Sequence, residues 1–485
     1  MDVVVIGGSV AGLACALLLE QQGHRCIVLE RDRETLPDSP VAAFATWHRP
    51  GVPQLRHSHA FLARLRNALR ERIPGFYDRL LRAGAEEIGV AELFGPTIDD
   101  PTPQPGDDEL VMLACRRATF EWALRAEVLS RAGIQIRTGV RVVGFHAVPD
   151  PEATAAHRQR IAGVRVAGEE PVRADLVIDA SGRHSRAPRW LDRLGLPSPT
   201  SERSASGIFY CSRFYRGDPA QGAERRELAI AADFGFLKYA VFHGDAGIFS
   251  VTLAASPDDD ELSGLRSQAG FETAARLLPQ VARFVAGAEP VSRIHTMAGL
   301  DNQRRVPVPD AAQGLVLLGD ASLHTNPLYG RGCTMAVLHA SLLADATSSH
   351  GAEPEMEATF ARHTERELLP WYRLACSQDR DAIEHSAAYR DGSAEEQTRS
   401  DGTLDPKAYM RSLVRRGVLP AMRTDARVAR RGFRSFHMLD PPGSMMRDAD
   451  VMKRILARFR ENEASPRSPA PLSRENFVAS LAGSE

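Results

Sequence analysis

The sequence predicts an α/β fold: a Rossmann-like parallel-sheet domain, an inserted domain built on an antiparallel sheet, and a helical C-terminal region. Three observations predict it. The opening "DVVVIGGSVAGLACALLLEQQGHRCIVLERD" reads strand, glycine turn, helix, strand. A second glycine-rich turn, "GDASLHTNPLYGRGC", follows an apolar strand only at residues 319–333. Between them, from about residue 191 to 290, aromatic residues recur at period 2, as in an antiparallel sheet.

The chain has 485 residues, room for two or three domains. With 43% hydrophobic and 25% charged residues it can bury a large core. A net charge of −2 excludes broad electrostatic attraction to nucleic acid or anionic membranes. Six cysteines are scattered with no CxxC, which reads as buried thiols in a reducing compartment. His57 and His59 form an HxH, but no neighbouring Cys or acidic cluster completes a metal site, so no metal is expected. No apolar run approaches the ~18–20 residues of a membrane helix, and the N-terminus lacks a basic leader. The expected location is the cytoplasm.

Each element has its own warrant. Val3 to Ile6 is a β-branched run, as in a buried parallel strand. Ala11 to Leu19 has helical apolar spacing, and Ile27 to Leu29 is the next strand. The turn between them carries Gly7, Gly8, Ser9 and Gly12. In the GxGxxG dinucleotide fingerprint the first glycine makes the tight turn, the second admits pyrophosphate, and the third packs helix on strand. Here Gly7 and Gly12 match, and Ser9, still small, replaces the middle glycine. Glu30 ends the second strand, where an acid suits a pair of ribose hydroxyls. In the later motif, "LVLLGD" is a strand ending at Asp320, and Pro327 turns the chain. Gly330 and Gly332 let backbone approach a flat ring. The helix expected from Thr334 onward would aim its positive end at that ring.

Three pieces in this order resemble the FAD-dependent monooxygenases of the aromatic-hydroxylase type (group A) and their epoxidase-like relatives. They are the N-terminal fingerprint, "ADLVIDASGRHSRAPRWL" at 174–191, and "GLVLLGDASLHTNPLYGRGCTMA". The segment Arg117-Ala118-Thr119-Phe120-Glu121 is similar to the family's Arg-x-x-Leu-Glu pattern. The loop "GVPQLRHSHAFLARLRNALRERIPGF" and the tail "FHMLDPPGSMMRDADVMKRILARF" resemble the epoxidase-like branch.

The resemblance implies FAD as cofactor, held by Gly7, Gly8, Ser9, Gly12, Glu30, Arg31, Arg56, Arg117, Val142 (through its backbone, at the adenine), Asp320, Gly330 and Gly332. Asp320 would bind the ribityl chain. Catalytic side chains are not expected, because the flavin carries the chemistry through a C4a-hydroperoxide. The implied reaction inserts one oxygen atom of O2 into a bulky apolar or aromatic small molecule, by hydroxylation or epoxidation, in secondary metabolism. The electron donor would be NAD(P)H or a partner flavin reductase.

Departures from the family matter too. The central motif reads Asp179-Ala180-Ser181-Gly182, where the hydroxylases have Asp at Ser181. This variant also resembles flavin-dependent prenyl reductases and halogenases, and reduction of carbon–carbon double bonds is the alternative. It also puts direct NAD(P)H use in doubt, and it leaves Arg183 and Ser185 as phosphate contacts or as a plain surface turn. The family's common GDAAH would put a His at Leu323, so His324 reads as an ordinary surface or core residue. Halogenases of this fold need W-x-W-x-I-P and a lysine near the flavin. Trp47, Trp122, Trp190 and Trp371 are never two apart, and the only mid-chain lysine is Lys238.

The expected FAD-binding domain is discontinuous (1–75, 110–190 and 291–345). Residues 76–109 and 191–290 form the substrate domain, and 346–485 a mostly helical region. Phe209, Phe214, Tyr239, Phe242 and Phe249 are the candidates for a substrate pocket. "ENEASPRSPAPLS" reads as a soft linker, and "RTDARVARRGFRSF" as a solvated helix face.

Overall fold

The computed structural model describes residues 1–150, 159–217, 231–308, 312–351, 353–393, 398, 401–403, 405–464 and 472–483. The greater part of the expected linker lies outside them.

The chain's first strand, Asp2–Ile6, is the centre of a five-stranded parallel sheet. Its neighbours are Arg25–Glu30, flanked by Ile134–Thr138, and Leu176–Asp179, flanked by Leu315–Leu317. Val3, Val4 and Val5 are at most 1% exposed, which explains the unbroken apolar run: both faces are covered. The helix Val10–Glu20 packs in one core with Gly332–His350 and Arg117–Leu129. The edge strand Leu315–Leu317 leads directly to Asp320. The late motif therefore completes the sheet that the N-terminus begins.

Beyond the sheet, Thr200–Ser204 pairs with Asn302–Val306, which pairs with Leu323–His324. This ladder leads the chain into and out of a six-stranded sheet. Phe209–Arg216, Leu237–His243 and Ile248–Ala255 form its antiparallel centre. Successive side chains point to opposite faces. One face carries Phe209, Cys211, Tyr239, Phe249, Val251 and Leu253 and is buried under the helices Gln268–Leu277, Pro279–Val285 and Arg474–Ala482. Tyr210, Ser212, Phe214, Phe242, Ser250 and Thr252 stand on the other face.

Two expectations need correction. Phe209, Tyr239 and Phe249 do not line a pocket, because their strand parity turns them into the helix-covered core. Residues 76–109, expected in the same domain as the antiparallel sheet, do not pack with it. Phe76, Tyr77 and Leu80 join the parallel-sheet core, whereas Val90 and Phe94 pack on Ala426 and Ala429 of the C-terminal helices. The basic helix Ala426–Phe436 is less solvated than its charge suggests: Arg430 pairs with Asp107, and Arg434 with Glu109 and Asp440. Among the described residues, no helix is long and apolar enough to cross a membrane.

Candidate functional site: a two-turn nucleotide cradle

The N-terminal turn is shaped by steric necessity. Gly7 has φ +107°, and a Cβ there would stand 2.5 Å from the Ala180 carbonyl oxygen. A Cβ on Gly12 would stand 2.0 Å from the Gly7 carbonyl oxygen. No larger residue fits either place. Ser9 is the N-cap of the Val10–Glu20 helix, yet its side chain caps nothing. Its hydroxyl donates inward to Glu121 Oε1 at 3.0 Å. The first amides of the helix thus lack a side-chain acceptor, as an anion-binding helix end requires.

Glu30 lies beside this turn. Its Oε2 accepts from the Gly8 amide at 3.0 Å and from Arg49 at 2.9 Å, and its Oε1 accepts from the Asp32 amide at 2.9 Å. A carboxylate has about four acceptor positions, so one remains on Oε1 for a ribose hydroxyl.

Arg49, which the sequence reading missed, is the hub of this region. It donates to Gly8 O at 3.0 Å, to Glu30 and to Asp32, and it pairs with Glu121 at 3.4 Å. Arg117 donates to the other Glu121 oxygen at 2.7 Å. Burial alone would lower the Arg117 pKa, but Cys333 and Glu121 outweigh it and hold the guanidinium charged. Arg49, Arg117 and the buried Arg125 balance Glu30, Asp32 and Glu121.

Arg56 was expected among the FAD-binding residues. Its guanidinium instead clamps the carbonyls of Phe44 at 2.8 Å and Trp47 at 3.0 Å. Arg49, held by three carboxylates, is the cation against the glycine turn. Arg31 is exposed beyond Glu30. Val142 opens the strand Val142–Pro149, just after Val140, whose amide bonds Glu30 O at 3.0 Å.

The second turn lies beside the first: a Cβ on Gly319 would meet Ala11 Cβ at 2.7 Å. Asp320 pairs with His324, Nδ1 to Oδ2 at 3.1 Å. Burial would raise the Asp320 pKa, but His324, Arg117 and Arg183 hold it below the usual carboxylate value. His324 is thus a buried residue bonded to its neighbour in the motif. Its strand pairs with Asn302–Val306 and brings it back onto Asp320. Gly330 has φ +67° and sits against Ala60, whose Cβ a new Cβ would meet at 2.8 Å.

Asp379, on the helix Leu369–Asp391, ties the turn down from outside. It accepts from Asn326 Nδ2 and Tyr329 OH, both at 2.8 Å, and from Asn302 Nδ2 at 2.6 Å. In the central motif, Asp179 accepts from the Ser181 amide at 2.9 Å and from the Ser185 hydroxyl, and Arg183 donates to Gly299 O at 2.9 Å. These contacts use Ser185 and Arg183 within the protein.

FAD fits these residues. The uncapped helix end suits the pyrophosphate, Glu30 the ribose, and Asp320 the ribityl hydroxyls. His324 Nε2 and Thr334 Oγ1 are buried polar atoms with no protein partner near the second turn. Residues 1–45 match the family model described as "FAD binding domain". Cradle and match agree on the nucleotide: the chain opens with an FAD-binding domain.

The chain is 29% identical over 405 residues to Protein Rv3254 of Mycobacterium tuberculosis (strain ATCC 25618 / H37Rv), covering 76% of this chain and 78% of that protein. Its fold is similar to that of PqsL, a probable FAD-dependent monooxygenase from Pseudomonas aeruginosa. The TM-score is 0.55 at 16% identity, over 81% of this chain and 99% of the other. It is also similar to the myxobacterial chondrochloren halogenase CndH, with TM-score 0.56 at 19% identity, over 85% and 96% of the two chains.

Proposed function

We propose that the protein is an FAD-dependent monooxygenase acting on a bulky apolar or aromatic small molecule, by hydroxylation or epoxidation. The observation that carries this reading is the contact between the second turn and the inner face of the antiparallel sheet. Leu328 of the turn packs with Ile208, Tyr210, Ala254 and Leu300. A substrate held there lies beside the ring-binding turn, between apolar walls. Bound FAD supplies the activation of O2 and the oxygen atom delivered. The chain's own residues hold the cofactor, orient the substrate and exclude water. Asp320 and Glu30 would hold the ribityl and ribose hydroxyls, and Arg117 balances the charge between the turns. Similarity in fold to a probable FAD-dependent monooxygenase supports the reading. Electrons would come from NAD(P)H or from a partner flavin reductase.

The test is isotopic. The protein is reduced under argon, mixed with ¹⁸O2 and a panel of polycyclic and polyene compounds, and the products are weighed by mass spectrometry. Incorporation of one ¹⁸O atom is expected. Substrate consumed under argon, with two hydrogens gained and no oxygen, would instead establish the double-bond reductase that the Asp179–Gly182 motif keeps in view.

A further inference from the structure

A chain of hydroxyls runs across the inner face of the antiparallel sheet, apart from the cofactor cradle. Ser58 Oγ donates to Ser250 Oγ at 2.8 Å, and Thr252 Oγ1 donates to Ser58 Oγ at 2.7 Å. Thr252 Oγ1 also lies 2.9 Å from Ser212 Oγ, and Ser212 Oγ lies 3.4 Å from His57 Nδ1. A hydroxyl has one proton to give. Thr252 gives its proton to Ser58, so it accepts from Ser212. Ser212 has then spent its own proton and can only accept from His57. The proton of the imidazole is therefore on Nδ1, and Nε2 is a bare acceptor. Nε2 has no partner among the described residues.

Two rings flank this imidazole. The Tyr210 ring stands edge-on at 5.1 Å between centroids, and His295 at 5.8 Å. Tyr210 packs in the cluster that includes Leu328 of the second turn. Three residues further along the loop, Ala60 touches Gly330. His57 is 4% exposed, and Ser212, Ser250 and Thr252 are buried as well. Burial, reinforced by His295, lowers the His57 pKa to about 3, so the ring is neutral at any working pH. Burying four polar side chains on one face is costly unless each is bonded. Ser212, Ser250 and Thr252 are bonded through one another, Ser58 and His57, and the imidazole ends the chain with the acceptor Nε2.

We propose that His57 Nε2 is the acceptor that selects the substrate, and that the substrate presents one O–H donor on an otherwise apolar body. Ser212 and Thr252 are positioning residues that hold the imidazole in the accepting tautomer. This inference rests on the reading that substrate lies between the sheet face and the second turn, and it deepens that reading by naming what the substrate must carry.

The test uses the oxidised, FAD-loaded protein without reductant, so it is independent of oxygen transfer. Two probes of one ring system, 2-naphthol and 2-methoxynaphthalene, are titrated while the visible spectrum of the bound flavin is followed. The naphthol is expected to bind about tenfold tighter or better, the worth of one good hydrogen bond. In His57→Phe the ratio falls to about one. In His57→Gln, whose amide oxygen accepts, part of it returns. Ser212→Ala and Thr252→Val release the tautomer and lower the ratio without touching the probe; a merely structural role would leave it unchanged. FAD content of each variant reports folding. Equal affinity of the two probes for the native protein would overturn the proposal. So would an unchanged ratio in His57→Phe, or no flavin perturbation by either probe. Incorporation of ¹⁸O in the earlier experiment would stand in each of those cases.

Discussion

Asp379 holds three donors from two segments of chain on one buried carboxylate. Burial raises its pKa, and Asn302, Asn326 and Tyr329 pull it part of the way back. Replacing it by Ala leaves those donors without an acceptor, at about 1–3 kcal/mol each. The cost falls on the turn itself. Asp379→Ala is expected to weaken FAD binding at least roughly tenfold with helix content preserved, read by flavin fluorescence and circular dichroism. Arg49 works differently. Its side chain is 1% exposed among three carboxylates, so Arg49→Met strands buried charge, a loss of about 3–5 kcal/mol. Thermal unfolding should fall steeply in that variant, and FAD should only partly restore it. Glu357 offers a pH test. Burial raises its carboxyl pKa to about 7, even though the Gly314 amide donates to it at 2.8 Å. Between its ordinary pKa and about 7 the folded state binds more protons than the unfolded state, so this group makes stability fall as pH rises. Glu357→Gln should flatten that part of the curve of unfolding temperature against pH. An unchanged slope would contradict the assignment.

At the scale of elements, the glycine turns were legible because sterics leave no alternative. The spacing of Gly7 and Gly12 states which backbone approaches which. Gly330→Val must leave φ +67° and collide with Ala60, so it should abolish flavin binding while the parallel sheet still folds. The sheet was legible only in part. Alternation revealed the strands, but it cannot say which parity faces the helices when both faces are covered. Helices bury one face and the His57 loop the other, so aromatic residues occur on each. Phe249→Ala should therefore cost stability, about 3–5 kcal/mol, and leave probe binding intact. Arg49 was illegible for another reason. It is one arginine among dozens, and its partners Gly8, Glu30, Asp32 and Glu121 are brought to it only by the fold. The pairing of His324 with Asp320 was illegible because it is set by the ladder with Gln303, not by the motif's spacing.

At the scale of the whole molecule, the chain opens a site at Gly7, leaves to build a second sheet, and returns at Leu315–Leu317 to close the first. The C-terminal helices then brace what has been closed: Asp379 on the second turn, and Phe477 and Leu481 on the antiparallel sheet. Two turns on opposite sides of this excursion should serve one cofactor. The most direct test is the FAD dissociation constant of the native protein, Glu30→Ala, Asp320→Ala and the double variant, measured by flavin fluorescence on folded protein. One FAD per chain is expected. Each single variant should lose roughly tenfold or more, and the double variant should bind more weakly than either. No FAD bound by the native protein, or full affinity kept by Asp320→Ala, would contradict a site shared by the two turns.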